Sequence, residues 1–343
     1  MRLFRRSAPA PAPPPKASAP AAPPPPPWDK RRGYPPAGGL RDELAEGRWE
    51  HVHEVLEAET DPTVRDLLVE ALADIEGRPT WLDEWVAARP GTASPLLVRG
   101  RHSVNWGWQA RGGGRAGTVS DDGWRLLRER CALAEDDLLA AAAIRPDDAA
   151  PHVNRLWAAM GSGGGIGPLN ERFRAVVSRD PLSISGHQSM VVAVTKKWFG
   201  SHDQMFGLAR TSAARAPEGH SLNRLVAVAH LERWLAMSTA DEEKAEAGAY
   251  WKREEVRAEV LAAHARLFDA GEFRAGPRTP EDASIFLACM HLMGNRETRP
   301  RLVELLGDSG PLAYGWQFIR GSSASWTKVV TEVREGGGVA TGA

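Results

Sequence analysis

Three short turns that end in proline divide the middle of this chain into intervals of almost equal length. The turns lie at Arg145-Pro146, Asp180-Pro181 and Ala216-Pro217, so the intervals are 35 and 36 residues long. Each interval holds two helical stretches, and two helices closing at about 34 residues is a period typical of helical repeats. One such hairpin cannot bury its apolar face alone, whereas stacked hairpins can. The spacing therefore predicts an all-α fold in which helix pairs stack into a right-handed superhelix.

Apolar side chains recur at helical spacing along most of the chain, and we expect ten to fourteen helices. The first clear stripe follows the i, i+3, i+4, i+7 pattern of one helix face and consists of Val64, Leu67, Leu68, Ala71, Leu72 and Ile75. Asp61-Pro62 and Thr279-Pro280 each predict a helix start, with an N-cap residue before a proline. Residues 189–195 are rich in β-branched side chains, but the flanking pattern favours a helix there. No strand is predicted anywhere.

The two ends of the chain differ in composition from its body. Residues 1–36 are dominated by proline and alanine and are predicted to form an extended, disordered arm. A P-x-x-P pattern in this arm would also suit a proline-reading partner. Residues 37–335 form the predicted helical-repeat domain, and residues 336–343 form a flexible tail.

Charge and composition argue against several functional classes. The 43 basic and 44 acidic residues leave a formal charge of −1, which lacks the electrostatic footprint of a nucleic-acid or membrane-surface protein. No apolar run reaches the roughly 20 residues that span a bilayer, and no secretory signal is present. We therefore expect a cytoplasmic protein, and the heavy use of Ala, Arg, Gly and Pro suggests a bacterial one. Cys131 and Cys289 are predicted to be buried thiols, and no metal, cofactor or catalytic residue is expected.

One short stretch matches the dinucleotide pattern G-x-G-x-x-G, at residues 112–117. That fingerprint needs a strand before it and a helix after it, so that a phosphate can sit at the helix N-terminus. The preceding residues have helical spacing instead, and Asp121 and Asp122 would repel a phosphate. We interpret this stretch, and the glycines at residues 161–167, as turns between helices.

Three segments resemble a known family: RGRHSVNWGWQARGGGRAGTVSDDGW, IRPDD and KKWFGSHDQMFGLAR. They look like an uncharacterised bacterial domain-of-unknown-function family related to tetratricopeptide repeats. The similarity runs from about Leu40 to about Trp234 and less clearly to Trp326, and Phe199 stands where the family would have glycine. The resemblance implies a tetratricopeptide-like α-α superhelix and transfers no catalytic residue.

In tetratricopeptide-type arrays the first helix of each pair lines the concave side. The corresponding helices here carry polar residues where a plain core would have none. We expect these side chains to bind a protein or peptide segment, because amides and guanidinium groups suit peptide backbone and carboxylates. The predicted binding residues are His102, Asn105, Gln109, His152, Asn154, Arg155, His187, Asn223 and Arg224.

The sequence leaves three functions open. The preferred one is a cytoplasmic interaction or scaffold protein that holds a peptide or protein segment on its concave face without chemistry. The second is an enzyme of unknown reaction with a pocket near Arg101, His102 and Trp106, beside the glycine-rich turn at residues 112–117. The third is a structural domain whose partner binds the proline-rich arm.

Overall fold

The computed structural model describes residues 24, 26–114, 116–240, 242–319 and 323–336, and the regular secondary structure of this part of the chain is entirely helical. It contains sixteen α-helices, so the all-α class is confirmed and the expected ten to fourteen helices are too few. Short helices such as α4 and α12, of eight and seven residues, span too few turns to show a repeating apolar pattern in the sequence. The helices are α1 (Pro36–Ala45), α2 (Glu50–Ala58), α3 (Pro62–Leu72), α4 (Trp81–Ala88), α5 (Ala93–Arg111), α6 (Asp121–Ile144), α7 (Ala150–Ser162), α8 (Ile166–Val177), α9 (Ile184–Ala193), α10 (His202–Arg215), α11 (Arg224–Thr239), α12 (Lys244–Tyr250), α13 (Glu254–Phe268), α14 (Thr279–Leu292), α15 (Arg299–Leu306) and α16 (Ser323–Arg334).

Two helices occupy each of the proline-bounded intervals. The first interval holds α7 and α8, and the second holds α9 and α10. Helices that follow one another in the chain pack together in both intervals, and α7 also packs on α9. The helix predicted for residues 189–195 is present as far as Ala193, where α9 ends.

The two predicted helix starts have different outcomes. The Asp61 carboxylate accepts hydrogen bonds from two backbone N–H groups in the first turn of α3, at 2.8 and 3.2 Å, as an N-cap residue does. At α14 the cap was placed one residue too late. Arg278 is the N-cap residue there, and the Thr279 hydroxyl accepts from the Gly276 N–H at 2.8 Å.

Both glycine-rich stretches lie between consecutive helices, as predicted. Gly112 ends α5 with a φ of +74°, and α6 begins after an N-cap at Ser120. Gly163 and Gly165, with φ of +74° and +77°, connect α7 to α8. Only glycine adopts such positive φ without strain, which explains the composition of these turns.

A close approach between α6 and α7 requires another glycine. A Cβ atom on Gly161 would lie 2.5 Å from the Cys131 sulfur. Both Cys131 and Cys289 are buried, as predicted, and burial raises the pKa of the Cys131 thiol to about 12.

Buried apolar side chains form two groups. One occupies the N-terminal part from Ala37 to Ala158, and the larger one extends from Ala149 to Val330. The rings of Trp108 and Trp157 pack against both groups. These two tryptophans therefore lie where the two parts of the interior meet.

Residues 28–34, which we call the strap, precede α1 and pack against the C-terminal part of the chain. The Asp29 N–H donates to the Pro311 carbonyl at 2.6 Å, and the Asp29 carboxylate accepts from the Gly310 N–H at 3.1 Å. Gly33, with a φ of +76°, lies so close to Pro280 that a Cβ atom would come within 2.6 Å of its Cβ. The strap falls within the predicted arm of residues 1–36, of which residues 1–23 and 25 lie outside the described part. Residues 337–343 of the predicted tail also lie outside the described part of the chain.

The helices of the described residues are all too short or too polar to cross a membrane.

Candidate functional site

A cavity of about 590 Å³ lies between segments from both halves of the chain. Its walls come from α3, α5, α7, α9, α11, α14, the strap and residues 312–317. The volume is in the ~300–1,000 Å³ range typical of ligand sites. Segments far apart in the chain therefore share one concave surface.

One wall of the cavity is aromatic. Trp108 of α5 and Trp157 of α7 meet edge to face with their ring centroids 5.8 Å apart, and Trp28 and Tyr314 also line the space. The Trp157 indole N–H donates to the Ser189 hydroxyl at 2.8 Å, which fixes that ring. The walls thus offer flat, rigid apolar faces whose polar edges are partly used inside the protein.

Primary amides supply neutral hydrogen-bonding groups to the cavity. Asn105 and Gln109 lie one turn apart on α5, Gln188 comes from α9, and Gln317 lies at the rim. The Asn105 amide donates to the Ala73 carbonyl at 3.1 Å, and the Gln188 side-chain oxygen accepts from Arg224 at 3.1 Å. Gln109 and Gln317 are exposed. Each amide carries both donors and acceptors, so groups remain for a bound molecule.

A network of buried ion pairs forms beside the cavity around Arg278. Its guanidinium group donates to Asp66 at 3.0 Å, Glu70 at 2.8 Å and Glu281 at 2.9 Å. Arg32 of the strap contacts the same Glu70 and Glu281, at 3.0 and 2.6 Å. The network joins α3, α14 and the strap, which lie at opposite ends of the sequence.

Arg224 extends this network on α11. It donates to Asp282 at 2.7 Å and lies 3.6 Å from Glu281. Asp282 also accepts from the Ser221 hydroxyl at 2.5 Å. Buried carboxylates and guanidinium groups are thus paired across three helices and the strap, as buried charges require.

The network shifts the pKa values of its carboxyl groups in opposite directions. Burial and the neighbouring charge of Glu70 raise the pKa of Asp66 to about 6. Burial alone would also raise the pKa of Glu70, but Arg278 and Arg32 outweigh it and hold that pKa far below its usual value. Burial raises the pKa of Asp282, which Arg224 only partly offsets. Burial acts to lower the pKa of Arg278, but the charges of Glu70, Glu281 and Asp66 outweigh it and raise that pKa.

Arg101 of α5 differs from the other cations that line the cavity. Arg32 and Arg224 are paired with carboxylates, and Lys30 lies 3.9 Å from Asp74. For Arg101 there is no hydrogen bond or ion pair with any residue that the structure describes, and its Nε is buried without a partner. Burial lowers the pKa of Arg101 from its usual value, and the neighbouring positive charge of Arg32 adds to this, while Glu70 and Asp66 act against it.

The glycine-rich turn lies at the mouth of the cavity, where Gly112 and Gly113 form part of the wall. The preceding Arg111 holds the turn in place. Its guanidinium carbon lies 5.0 Å from the ring centroid of Trp124 and 5.6 Å from that of Trp198, and its Nη1 donates to the Gly112 carbonyl at 2.9 Å. Cation–π contacts of this kind anchor the glycine-rich start of the turn, where Gly112 and Gly113 have no side chains to pack.

Three of the nine predicted binding residues line the cavity: Asn105, Gln109 and Arg224. His102 is fully buried beside them, with Nδ1 3.3 Å from the Ala73 carbonyl. The enzyme alternative placed a pocket near this helix, and Arg101 and the glycine turn do belong to the cavity wall, whereas Trp106 does not.

The structure places the remaining five predicted residues away from the cavity. Asn154 donates to the Ala150 carbonyl of its own helix at 2.8 Å, and Asn223 donates to the His220 carbonyl at 2.9 Å. His187 contacts the Ser183 carbonyl at 2.8 Å. His152 is buried next to Arg155, which pairs with Glu135 at 2.7 Å. These polar groups are used in hydrogen bonds and ion pairs within the protein itself.

Sequence reasoning missed the residues that the strap and α14 bring to the cavity. Trp28 and Arg32 fell in the segment predicted to be a disordered arm. Glu281 follows the helix start predicted at Thr279-Pro280, where an acidic residue is ordinary. An ion pair between distant segments brings Arg32 and Glu281 together, and no local pattern predicts such a pair. In the sequence, only Trp28, a large apolar residue directly after a run of prolines, indicates that this segment packs against the rest of the protein.

No family model matches this chain, and the comparison with curated proteins and with solved structures also finds no match.

Proposed function

We propose that this protein is a recognition protein that holds a short, extended peptide segment in this cavity, without acting on it chemically. The observation that carries the proposal is the combination of aromatic faces and primary amides on one concave surface. Aromatic side chains anchor a ligand with little loss of conformational freedom, and amides pair with both donors and acceptors of a peptide backbone.

The spacing of the amides on α5 supports an extended ligand. Asn105 and Gln109 are related by i, i+4, so their Cβ atoms lie about 6 Å apart on one helix face. Alternate residues of an extended peptide repeat every ~6.6–6.8 Å. Two amides one turn apart can therefore bond successive backbone groups on the same side of a bound strand.

The enclosure of the cavity limits the ligand to a short segment. The Asp29 hydrogen bonds fix the strap to Gly310 and Pro311, directly before residues 312–317, and both segments line part of the space. A chain terminus or an exposed loop fits such a site, whereas a folded surface does not.

The enzyme alternative has less support from the cavity. None of the lining residues in the described part of the chain is a histidine or a cysteine. Of the lining carboxylates, Glu70 and Glu281 are held by arginines, and Asp29 and Asp74 contact Arg31 and Lys30. A general base free to take a proton is therefore missing from this wall.

The proposal is tested by selecting binders from a library of random heptapeptides and measuring their affinity by isothermal titration calorimetry. We expect the wild-type chain to bind selected peptides and Gln109→Ala to weaken them by about tenfold. Gln109 is exposed, so this variant should fold normally.

Asn170→Ala is the matched control, because Asn170 is an exposed amide of α8 outside the cavity. The proposal would be contradicted if Gln109→Ala and Asn170→Ala lost peptide affinity equally. It would also be contradicted if the selected peptides bound both variants with wild-type affinity.

A further inference from the structure

We propose that Arg101 is the anchor for a carboxylate group of the bound segment. This inference rests on the proposed function, since it names the chemistry that the cavity recognises. It starts from a single fact: the cavity contains a half-buried guanidinium group with no partner among the residues that the structure describes.

Neighbouring carboxylates are all engaged by other cations. Glu70 is held by Arg32 and Arg278, and Asp66 by Arg278. Asp74 is associated with Lys30. A buried charge without a counter-ion is unfavourable, so a site that keeps one open is suited to an anion supplied from outside.

The balance of charge on the cavity wall indicates an anion with a single charge. The lining cations are Lys30, Arg32, Arg101 and Arg224, and the lining anions are Asp29, Glu70, Asp74 and Glu281. Because the numbers are equal, the wall has no net positive charge, and among these described residues only the unpaired Arg101 is available to one ligand carboxylate. A doubly charged phosphate would face the repulsion of the surrounding carboxylates.

The planar guanidinium group also favours a carboxylate by geometry. Two parallel N–H donors match the two oxygens of a carboxylate, and such bidentate pairs are stronger than single hydrogen bonds. In a peptide the carboxylate is either the C-terminus or an Asp or Glu side chain, and both have the same chemistry.

The experiment uses heptapeptides selected on the wild-type chain, resynthesised with the C-terminus amidated or with Asp and Glu changed to Asn and Gln. We expect one of the two changes to weaken binding by ~10–100-fold, and that change identifies the source of the carboxylate. Arg101→Gln should bind the parent peptide as weakly as the wild type binds the neutralised one. Arg101→Lys should recover only part of the loss, because a lysine cannot form the bidentate pair.

Arg99→Gln is the matched control, since Arg99 lies on the same helix but pairs with Asp83 and Asp137 outside the cavity. It should leave the dependence on the ligand carboxylate unchanged. The inference would be overturned if both neutralised peptides bound the wild type as tightly as the parent peptide. It would also be overturned if Arg101→Gln preferred the carboxylate as strongly as the wild type does. Either result would leave the proposed function intact.

A second arm tests Arg101 if no peptide is selected, an outcome that would count against the proposed function itself. Titration with N-acetyltryptophan and with its amide compares one carboxylate with its neutral form. Preferential binding of the acid that disappears in Arg101→Gln supports the inference, and equal binding of the two overturns it. Without ligand, Arg101→Gln should not lower the Tm, because an unpaired buried charge does not stabilise the fold, whereas the same change at Arg278 should lower it.

Discussion

The Arg278 guanidinium group lies 3.0 Å from the Asp66 carboxylate, although 212 residues separate the two in the chain. Both side chains are buried, and Arg278 also binds Glu70 and Glu281. Removing the guanidinium group would leave three carboxylates without their shared partner.

Arg278→Met should therefore destabilise the fold strongly. We expect a loss of about 3–5 kcal/mol in the free energy of unfolding, because breaking a buried ion pair strands the remaining charges. Urea denaturation followed by circular dichroism measures this loss. Arg301→Met is the control, since Arg301 pairs with Glu304 on the surface and its loss should cost at most about 0.5 kcal/mol. Similar losses in the two variants would contradict the role assigned to Arg278.

The raised pKa of Asp66 predicts a pH dependence of stability with a definite sign. In the folded protein the Asp66 pKa is about 6, above the 3.8 of a free side chain, so the unfolded chain releases this proton first. The Asp66 contribution to stability is then fully present below about pH 4 and is lost as pH rises towards 6.

Asp66→Asn removes this contribution, because asparagine resembles the protonated acid. The stability of Asp66→Asn relative to the wild type should therefore increase from pH 4 to pH 6.5, by at most about 1.4 kcal/mol per pH unit. Urea titrations of the two proteins at several pH values measure the difference. A constant or falling difference would show that Asp66 is ionised throughout this range.

Gly33 tests whether the strap depends on its close contact with Pro280. Gly33→Ala adds a Cβ atom 2.6 Å from the Pro280 Cβ at a φ of +76°, so we expect the strap to detach. Trypsin should then cut after Lys30 and Arg31 about tenfold faster, since cleavage reports the open population. Gly77 has a similar φ of +69° but open space around it. In Gly77→Ala the strap should therefore stay protected from trypsin. Equal cleavage in both variants would mean that the contact does not hold the strap.

Substituting alanine at Gly161 and at Gly207 distinguishes the effect of tight packing on stability from the effect of helix propensity. Both lie in helices, but a Cβ on Gly161 would meet the Cys131 sulfur at 2.5 Å, whereas one on Gly207 meets no atom within 4 Å. Gly161→Ala should destabilise by ~1–3 kcal/mol through overpacking. Gly207→Ala should stabilise by ~0.5–1 kcal/mol, since alanine is the better helix former. Thermal unfolding measures the Tm of each variant. A change in Tm of the same sign in both variants would refute the packing argument.

Local signals in the sequence predicted local structure well. The Asp61 cap and the turns at Gly112 and Gly163 follow from side-chain chemistry within a few residues. The paired helices between the prolines follow from the same kind of pattern. Such features need no information from the rest of the chain.

The cavity could be predicted only in part, because distant segments build it. Asn105, Gln109 and Arg224 were recognised as polar residues on helices, and they line the space. Asn154 and Asn223 had the same appearance in the sequence, yet they bond carbonyl groups nearby. In the sequence, a polar side chain that hydrogen-bonds a nearby backbone carbonyl cannot be distinguished from one that faces the cavity.

The strap lies near the beginning of the chain, but its binding site includes Pro280, Gly310 and Pro311. During synthesis these residues emerge some 250 positions after the strap has left the ribosome. The strap therefore cannot take up this position until α14 and residues 310–311 have been synthesised, and until then Trp28 stays open to the surrounding medium.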